Sequence, residues 1–129
     1  MSMMQTYIGN IEEATRANET FRTVIHTAPH SQLVVMALKP GEDIGLEIHP
    51  DNDQFLRIEA GEGKAIVAGV EHAIADSFAV VVPAGTEHNI INTGTAPLKL
   101  YTIYSPAHHA PGTVHATKAD AEAAEALHQ

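Results

Sequence analysis

The chain has 129 residues, 44% apolar and 18% charged, which is the size and balance of one folded domain and excludes a disordered or collagen-like chain. Lys and Arg number 7 against 16 Asp and Glu, a formal net charge of -9, so the summed field repels phosphate backbones and anionic lipid and argues against nucleic-acid and membrane partners. Cysteine is absent, no apolar run reaches membrane-spanning length, and residues 1–10 show no basic stretch leading into an apolar one, a combination that predicts a cytoplasmic protein.

In chain order, Asn10 is placed to cap a short helix whose first turn holds Glu12 and Glu13, the charge sign a helix N-terminus favours, and which ends near Asn18. From residue 21 to 104 short β-branched and aromatic runs (21–27, 33–39, 54–59, 64–68, 78–82, 89–92 and 98–104) alternate with turn residues such as Lys39-Pro40-Gly41, Ala60-Gly61, Pro83-Ala84-Gly85 and Asn92-Thr93-Gly94. That rhythm predicts an all-β, antiparallel sandwich or barrel. Beyond it come a Pro- and His-containing stretch, 105–115, and an Ala-rich helix opened by Thr117 and Asp120 in a capping-box-like arrangement.

Nine histidines stand against seven Lys and Arg, and they are scattered along the chain. Glu47 and His49 are two residues apart in a segment that reads as a strand, so both side chains project from one face. A turn at residues 50–53 leads to Gln54, which opens the next strand and shares its face with Leu56 and Ile58. After the Pro83–Gly85 turn, the parity that sends Ile90 into the core sends His88 there too. Two imidazoles, a carboxylate and a carboxamide inside a barrel are costly unless satisfied, either by a divalent metal or by a buried hydrogen-bond network.

These residues resemble a known family. Gly41, Glu47-Ile48-His49, Gln54 and Gly61 are similar to the first cupin motif, with Glu47 where His is usual and Gln54 where Glu is usual. Pro83-Ala84-Gly85-Thr86-Glu87-His88 followed by Asn92 is similar to the second motif, with Ser77 standing where Gly is usual. The resemblance spans residues 39–103. It implies a single double-stranded β-helix, or jelly-roll barrel, over 21–104, flanked by an N-terminal helical segment, 1–20, and by a His/Pro tail with a C-terminal helix, 105–129. It also implies that His49 and His88 are metal ligands, that Glu47 replaces a His ligand, and that Gln54 replaces the family's Glu. The usual three His and one Glu carry one negative charge, and so do two His, Glu and Gln. The larger share of oxygen donors favours Mn²⁺ or Fe²⁺ over Zn²⁺, Ni²⁺ or Cu²⁺.

Around the four ligands a substrate pocket is expected from Tyr104, Leu56 and Ile58 on the strands and from His108, His109 and His115 in a tail able to fold over the opening. Asn92 reads as a strand-end hydrogen bonder. His26, His30, His72 and His128 read as surface residues, Asp51, Asp53, Glu59, Glu62 and Glu71 as a solvated exterior, and Arg57 as an outward residue suited to a subunit contact. The strands expected at the pocket bring no cluster of Lys or Arg, which argues against sugar phosphates although parts of the chain look like cupins labelled mannose-6-phosphate-isomerase-like. The reading is thus a homodimeric, metal-dependent cupin acting on a small molecule by isomerase-type or dioxygenase-type chemistry, with a non-catalytic binding or sensing cupin as the alternative.

Overall fold

The chain, seen here as a computed structural model describing residues 6–127, turns its alternating runs into antiparallel ladders. Helix α1 (Ile11–Ala17) starts as its sequence requires, with Asn10 Oδ1 accepting from the Glu13 N–H at 3.0 Å. The strands follow as β1 (Arg22–Thr27), β2 (Gln32–Leu38), β3 (Asp53–Ala60), β4 (Glu62–Val67), β5 (Val70–Ala75), β6 (Ala79–Val82), β7 (His88–Asn92), β8 (Leu98–Ser105) and β9 (Val114–His115), and α2 (Lys118–Leu127) closes the described chain. A six-stranded sheet, β6-β3-β8-β2-β1-β9, faces a three-stranded one, β5-β4-β7. The arrangement is the jelly roll that the motifs imply. Residues 1–5 of the segment 1–20, and His128 among the expected surface histidines, lie outside the described residues. Among the described residues no helix is long and apolar enough to cross a membrane.

Register explains what the barrel holds. On the inner face of the large sheet, Arg22, Met36, Leu100 and Ile58 form one row, and Val24, Val34, Thr102 and Leu56 the next. The following row contains Gln32, Tyr104, Gln54 and Val82. The lower rows are packed with fully buried Met36, Leu56, Ile58, Leu98 and Leu100, so the core fills one end of the barrel. The row of Gln32, Tyr104 and Gln54 makes the other end polar. Asn92 is buried and ties turns together, donating to the Leu38 and Ala96 carbonyls while its Oδ1 accepts from the Gly94 N–H.

Three local expectations change. Residues 70–75, not read as a strand, form β5, which pairs with β4 through a two-residue turn whose Ala68 and Gly69 both take positive φ. Its residues 70–73 are exposed, so it carries little apolar signal. Glu59, expected in the solvated exterior, is buried at 3% exposure, because the register slips between Ile58 and Ala60 and leaves it on a bulge, 3.7 Å from Arg57 Nη2. His26, expected at the surface, is half-buried with its ring 6.3 Å from that of Tyr7.

The tail is anchored rather than solvated. Ala121 of α2 packs into the core cluster, Thr117 Oγ1 accepts from the Asp120 N–H at 3.1 Å, and Lys118 pairs with Asp43. Small alanines let the helix lie close, and that ion pair, with the Asn89 amide, holds the Asp43 carboxyl below the usual range.

Candidate metal centre

Glu47 and His49 lie in an extended loop, not in the strand expected of them, because Gly41 and Gly45 take positive φ and interrupt regular pairing. Their shared direction survives through a bridge. Glu47 and His88 exchange both backbone hydrogen bonds at 2.9 Å, so the loop runs beside β7 as an unlabelled strand would. Leu46 and Ile48, of opposite parity, are exposed, while His49 is 5% exposed. The Gly85 N–H donates to the His49 carbonyl at 2.9 Å and fixes the end of this loop. Gly85 follows the Pro83-Ala84 turn of the second motif. Ser77, where the family favours Gly, has φ +77, the left-handed conformation that explains the preference.

The four residues named from the motifs meet inside the barrel. Glu47, His49 and His88 each present a donor atom within 4.8 Å of the others. Glu47 Oε1 is 3.2 Å from His49 Nε2, and Gln54 Oε1 is 3.0 Å from His88 Nε2. Adjacent donors of an octahedral ion, each about 2.1 Å from it, lie about 3.0 Å apart, so both separations, which are also hydrogen-bond distances, are compatible with neighbouring ligands.

The proton inventory also fits a cation. His88 Nδ1 lies 3.0 Å from the Thr86 carbonyl, so that nitrogen carries the proton and donates. Its Nε2 then offers a lone pair. Gln54 donates through Nε2 to Thr102 Oγ1 at 3.0 Å, so its Oε1 also offers lone pairs toward His88. Two acceptors facing each other need something positive, an ion or a second imidazole proton. Burial pushes the Glu47 carboxyl up, but the hydrogen bond from His49 and the nearby positive charge, Arg22 included, outweigh it and hold the group below its usual value. Glu47 is ionised at neutral pH, which suits it to a ligand set with one negative charge.

Beside the cluster lies a cavity of about 370 Å³ whose wall includes Arg22, Glu47, His108, His109, Thr113 and His115. Residues of α2 close its far side. The segment after β8 lines this cavity and is held there by two buried amides. Gln32 Oε1 accepts from the N–H groups of His108 and His109, and Gln32 Nε2 donates to the His109 carbonyl at 2.7 Å. Asn52 Nδ2 donates to the Pro106 carbonyl at 2.6 Å. The His108 ring is thereby set 4.3 Å from His49 and stacked on Tyr104.

Of the expected pocket residues, His108, His109 and His115 line this cavity, and Tyr104 sits beneath, 1% exposed, its ring edge-on to His49 at 5.6 Å. Burial, then the charge of Glu47, pushes the Tyr104 hydroxyl well above its usual value, so it stays protonated. Leu56 and Ile58 do not reach this cavity's wall: they are fully buried in the core rows, since the inner face of β3 turns polar only at Gln54. Burial, then the His49 charge, lowers the His108 imidazole, and burial, then Arg22, lowers His109 to about 3 and also lowers His115. All three are neutral near pH 7.

Arg22 was missed in the sequence. It shares parity with Val24 on β1, two residues before the bulge, and so points inward at 6% exposure. That parity was readable, but one Arg between Phe21 and Thr23 does not stand out as a site.

The comparisons with known proteins agree with this geometry. The profile of the cupin domain matches residues 34–104, which include both motifs and all four clustered residues. The Bacillus subtilis protein YrkC is 54% identical over 125 residues, covering 92% of this chain and 67% of its own length. A protein of Acanthamoeba polyphaga mimivirus is 52% identical over 114 residues, covering 85% of this chain and 71% of its own. The solved structure of BH2720 from Bacillus halodurans superposes with a TM-score of 0.91 at 46% identity, over 93% of this chain and 96% of that one. These likenesses bring family and fold, and no reaction.

Proposed function

The chain belongs to the cupin family, and from that premise we propose that it holds one divalent ion between Glu47, His49, Gln54 and His88 and acts on a small molecule in the adjoining cavity. The observation that carries the reading is the convergence of Glu47, His49 and His88 donors within 4.8 Å inside the barrel. Oxygen from Glu47 and Gln54 makes up half of the donor set, which suits Mn²⁺ or Fe²⁺, with Zn²⁺ or Ni²⁺ as the other occupants to test. Such an ion supplies Lewis acidity for isomerase-type chemistry, or a meeting point for substrate and dioxygen in dioxygenase-type chemistry.

The chain's own residues do the rest. Thr86 and Thr102 orient His88 and Gln54, fixing which atoms face the centre. His108, neutral and at the cavity wall, is the group placed to accept a proton, and the Tyr104 hydroxyl keeps its own. The Gln32 clamp holds the His108–His109 segment in the cavity wall.

Turnover of candidate sugars or phenols by metal-loaded protein, abolished in His88→Ala, supports the enzyme. A co-purifying ligand that stays unmodified in air and anaerobically would instead make the protein a binding module. A homodimer remains part of the proposal: β6 forms an edge of the large sheet, with Val81 66% exposed and Phe78 just before it 50% exposed. A monomer by light scattering at micromolar concentration would overturn it.

A further inference from the structure

The wall of the cavity beside the metal centre carries one permanent positive charge, Arg22, together with two carboxylates, Glu47 and Glu125, and the Arg22 charge helps to hold Glu47 ionised. Arg22 is 6% exposed, and among the described residues no carboxylate forms an ion pair with it. Its Nη1 donates to His115 Nδ1 at 3.1 Å, and the Phe21 ring lies 5.2 Å from the guanidinium carbon. Its Nε, however, is buried with no hydrogen-bond partner. On the same cavity wall His109 Nε2 is also buried and unpartnered. Buried polar atoms are ordinarily satisfied, and a buried guanidinium without a direct ionic partner is costly.

Arg22 and His109 thus stand on one cavity wall with hydrogen-bonding capacity that the chain itself leaves unused. Glu47 lies on that same wall. The cavity therefore brings a cationic group, Arg22, and a candidate metal ligand, Glu47, to one wall, in a volume suited to a small metabolite. A single permanent cation, in a chain of net charge -9, matches one carboxylate better than a phosphate dianion, which calls for several positive groups.

We propose that Arg22, with His109 beside it, recognises the carboxylate of a small hydroxy or oxo acid whose second oxygen faces the metal centre. The proposal rests on the metal-site reading for the second oxygen only. His115 positions the guanidinium by accepting from Nη1, which leaves the remaining edge for the ligand. Glu47 opposes an anion in the metal-free protein, so carboxylate binding strengthens when an ion offsets its charge.

Calorimetric titration of the full chain with L-lactate, and with lactamide as its neutral counterpart, tests this directly. The metal-loaded wild type is expected to prefer lactate by roughly tenfold to a hundredfold, the range of a charge-assisted hydrogen bond. Arg22→Met should bind the two alike, and Arg22→Lys should restore part of the preference. Equal binding of the two probes by wild type, binding of neither, a preference that persists in Arg22→Met, or tighter binding of inorganic phosphate than of lactate would each overturn the proposal. The wild-type comparison stands even if Arg22→Met fails to fold. The two readings also fail separately: a lactate preference in protein that takes up no metal removes only the metal site, whereas metal bound by wild type and lost in His88→Ala, with no such preference, removes only the carboxylate site.

Discussion

Thr102→Val separates what holds Gln54 from what holds the barrel. Thr102 is fully buried on β8 between Leu100 and Tyr104, and its hydroxyl meets the Gln54 Nε2 donor at 3.0 Å. Valine puts a methyl of similar size where the hydroxyl stood, so the row with Val34 and Leu56 stays filled while the hydrogen bond to Gln54 is lost. Gln54 is itself 2% exposed, so its amide then has no water in place of Thr102 and keeps only its hydrogen bond with the Tyr104 hydroxyl, a loss of roughly 1–3 kcal/mol of stability. Freed from Thr102, Gln54 no longer presents a fixed oxygen to the centre, and metal affinity should fall by roughly tenfold to a hundredfold. Urea unfolding of the metal-free protein reads the first effect, and competition titration with a metal indicator reads the second. Thr102→Ser, which keeps the hydroxyl and loses one methyl, should restore affinity while recovering only part of the stability. Wild-type stability and wild-type affinity in Thr102→Val together would refute the reasoning, because Gln54 would then be neither held by Thr102 nor needed by the ion.

Two further outcomes follow from the geometry. At Gly61, φ is +90° and an added Cβ would stand 2.6 Å from the Pro97 carbonyl oxygen, so Gly61→Ala should cost roughly 1–3 kcal/mol, read by thermal unfolding, and a wild-type midpoint would contradict the close approach. His109 is held to about 3 by burial first and then by the charges of Arg22, His108, His115 and His49. The unfolded chain therefore binds a proton below pH of about 6.5 that the folded chain refuses, and stability should drain away as pH falls from there toward 3. His109→Gln should flatten that part of the stability profile, and an unchanged profile would show that the imidazole is not buried as described.

Much of this was legible in the chain because the relevant signals are local. Asn10 followed by Glu12 and Glu13 marks a helix start whatever the rest of the molecule does, and the Pro83-Ala84-Gly85 turn sets the parity of His88. Glu47 and His49 show the limit of that reasoning: their shared face was right, but it comes from a backbone bridge to His88 on the neighbouring β7 and not from a regular strand of their own. Arg22 and Glu59 escaped for a related reason. Arg22 has a readable parity with Val24 but is a lone cation whose site forms only when distant elements meet, and Glu59 is turned inward by a slip in the pairing of β3 with β8 that no local window shows. β5 stayed hidden because a strand exposed over most of its length carries no apolar alternation, and because Ala68 occupies a turn position where Asn or Asp is the usual signal.

The central claim is that the convergence of Glu47, His49, Gln54 and His88 is a metal centre. Elemental analysis of untagged protein as isolated, with wild type and His88→Ala side by side and circular dichroism confirming that both are folded, tests it most directly. The account predicts near-stoichiometric Mn, Fe, Ni or Zn in the wild type and its loss in the variant. A folded wild type that carries no ion, and takes up none after dialysis against each metal in turn, would contradict it and leave the four residues as a buried hydrogen-bond network.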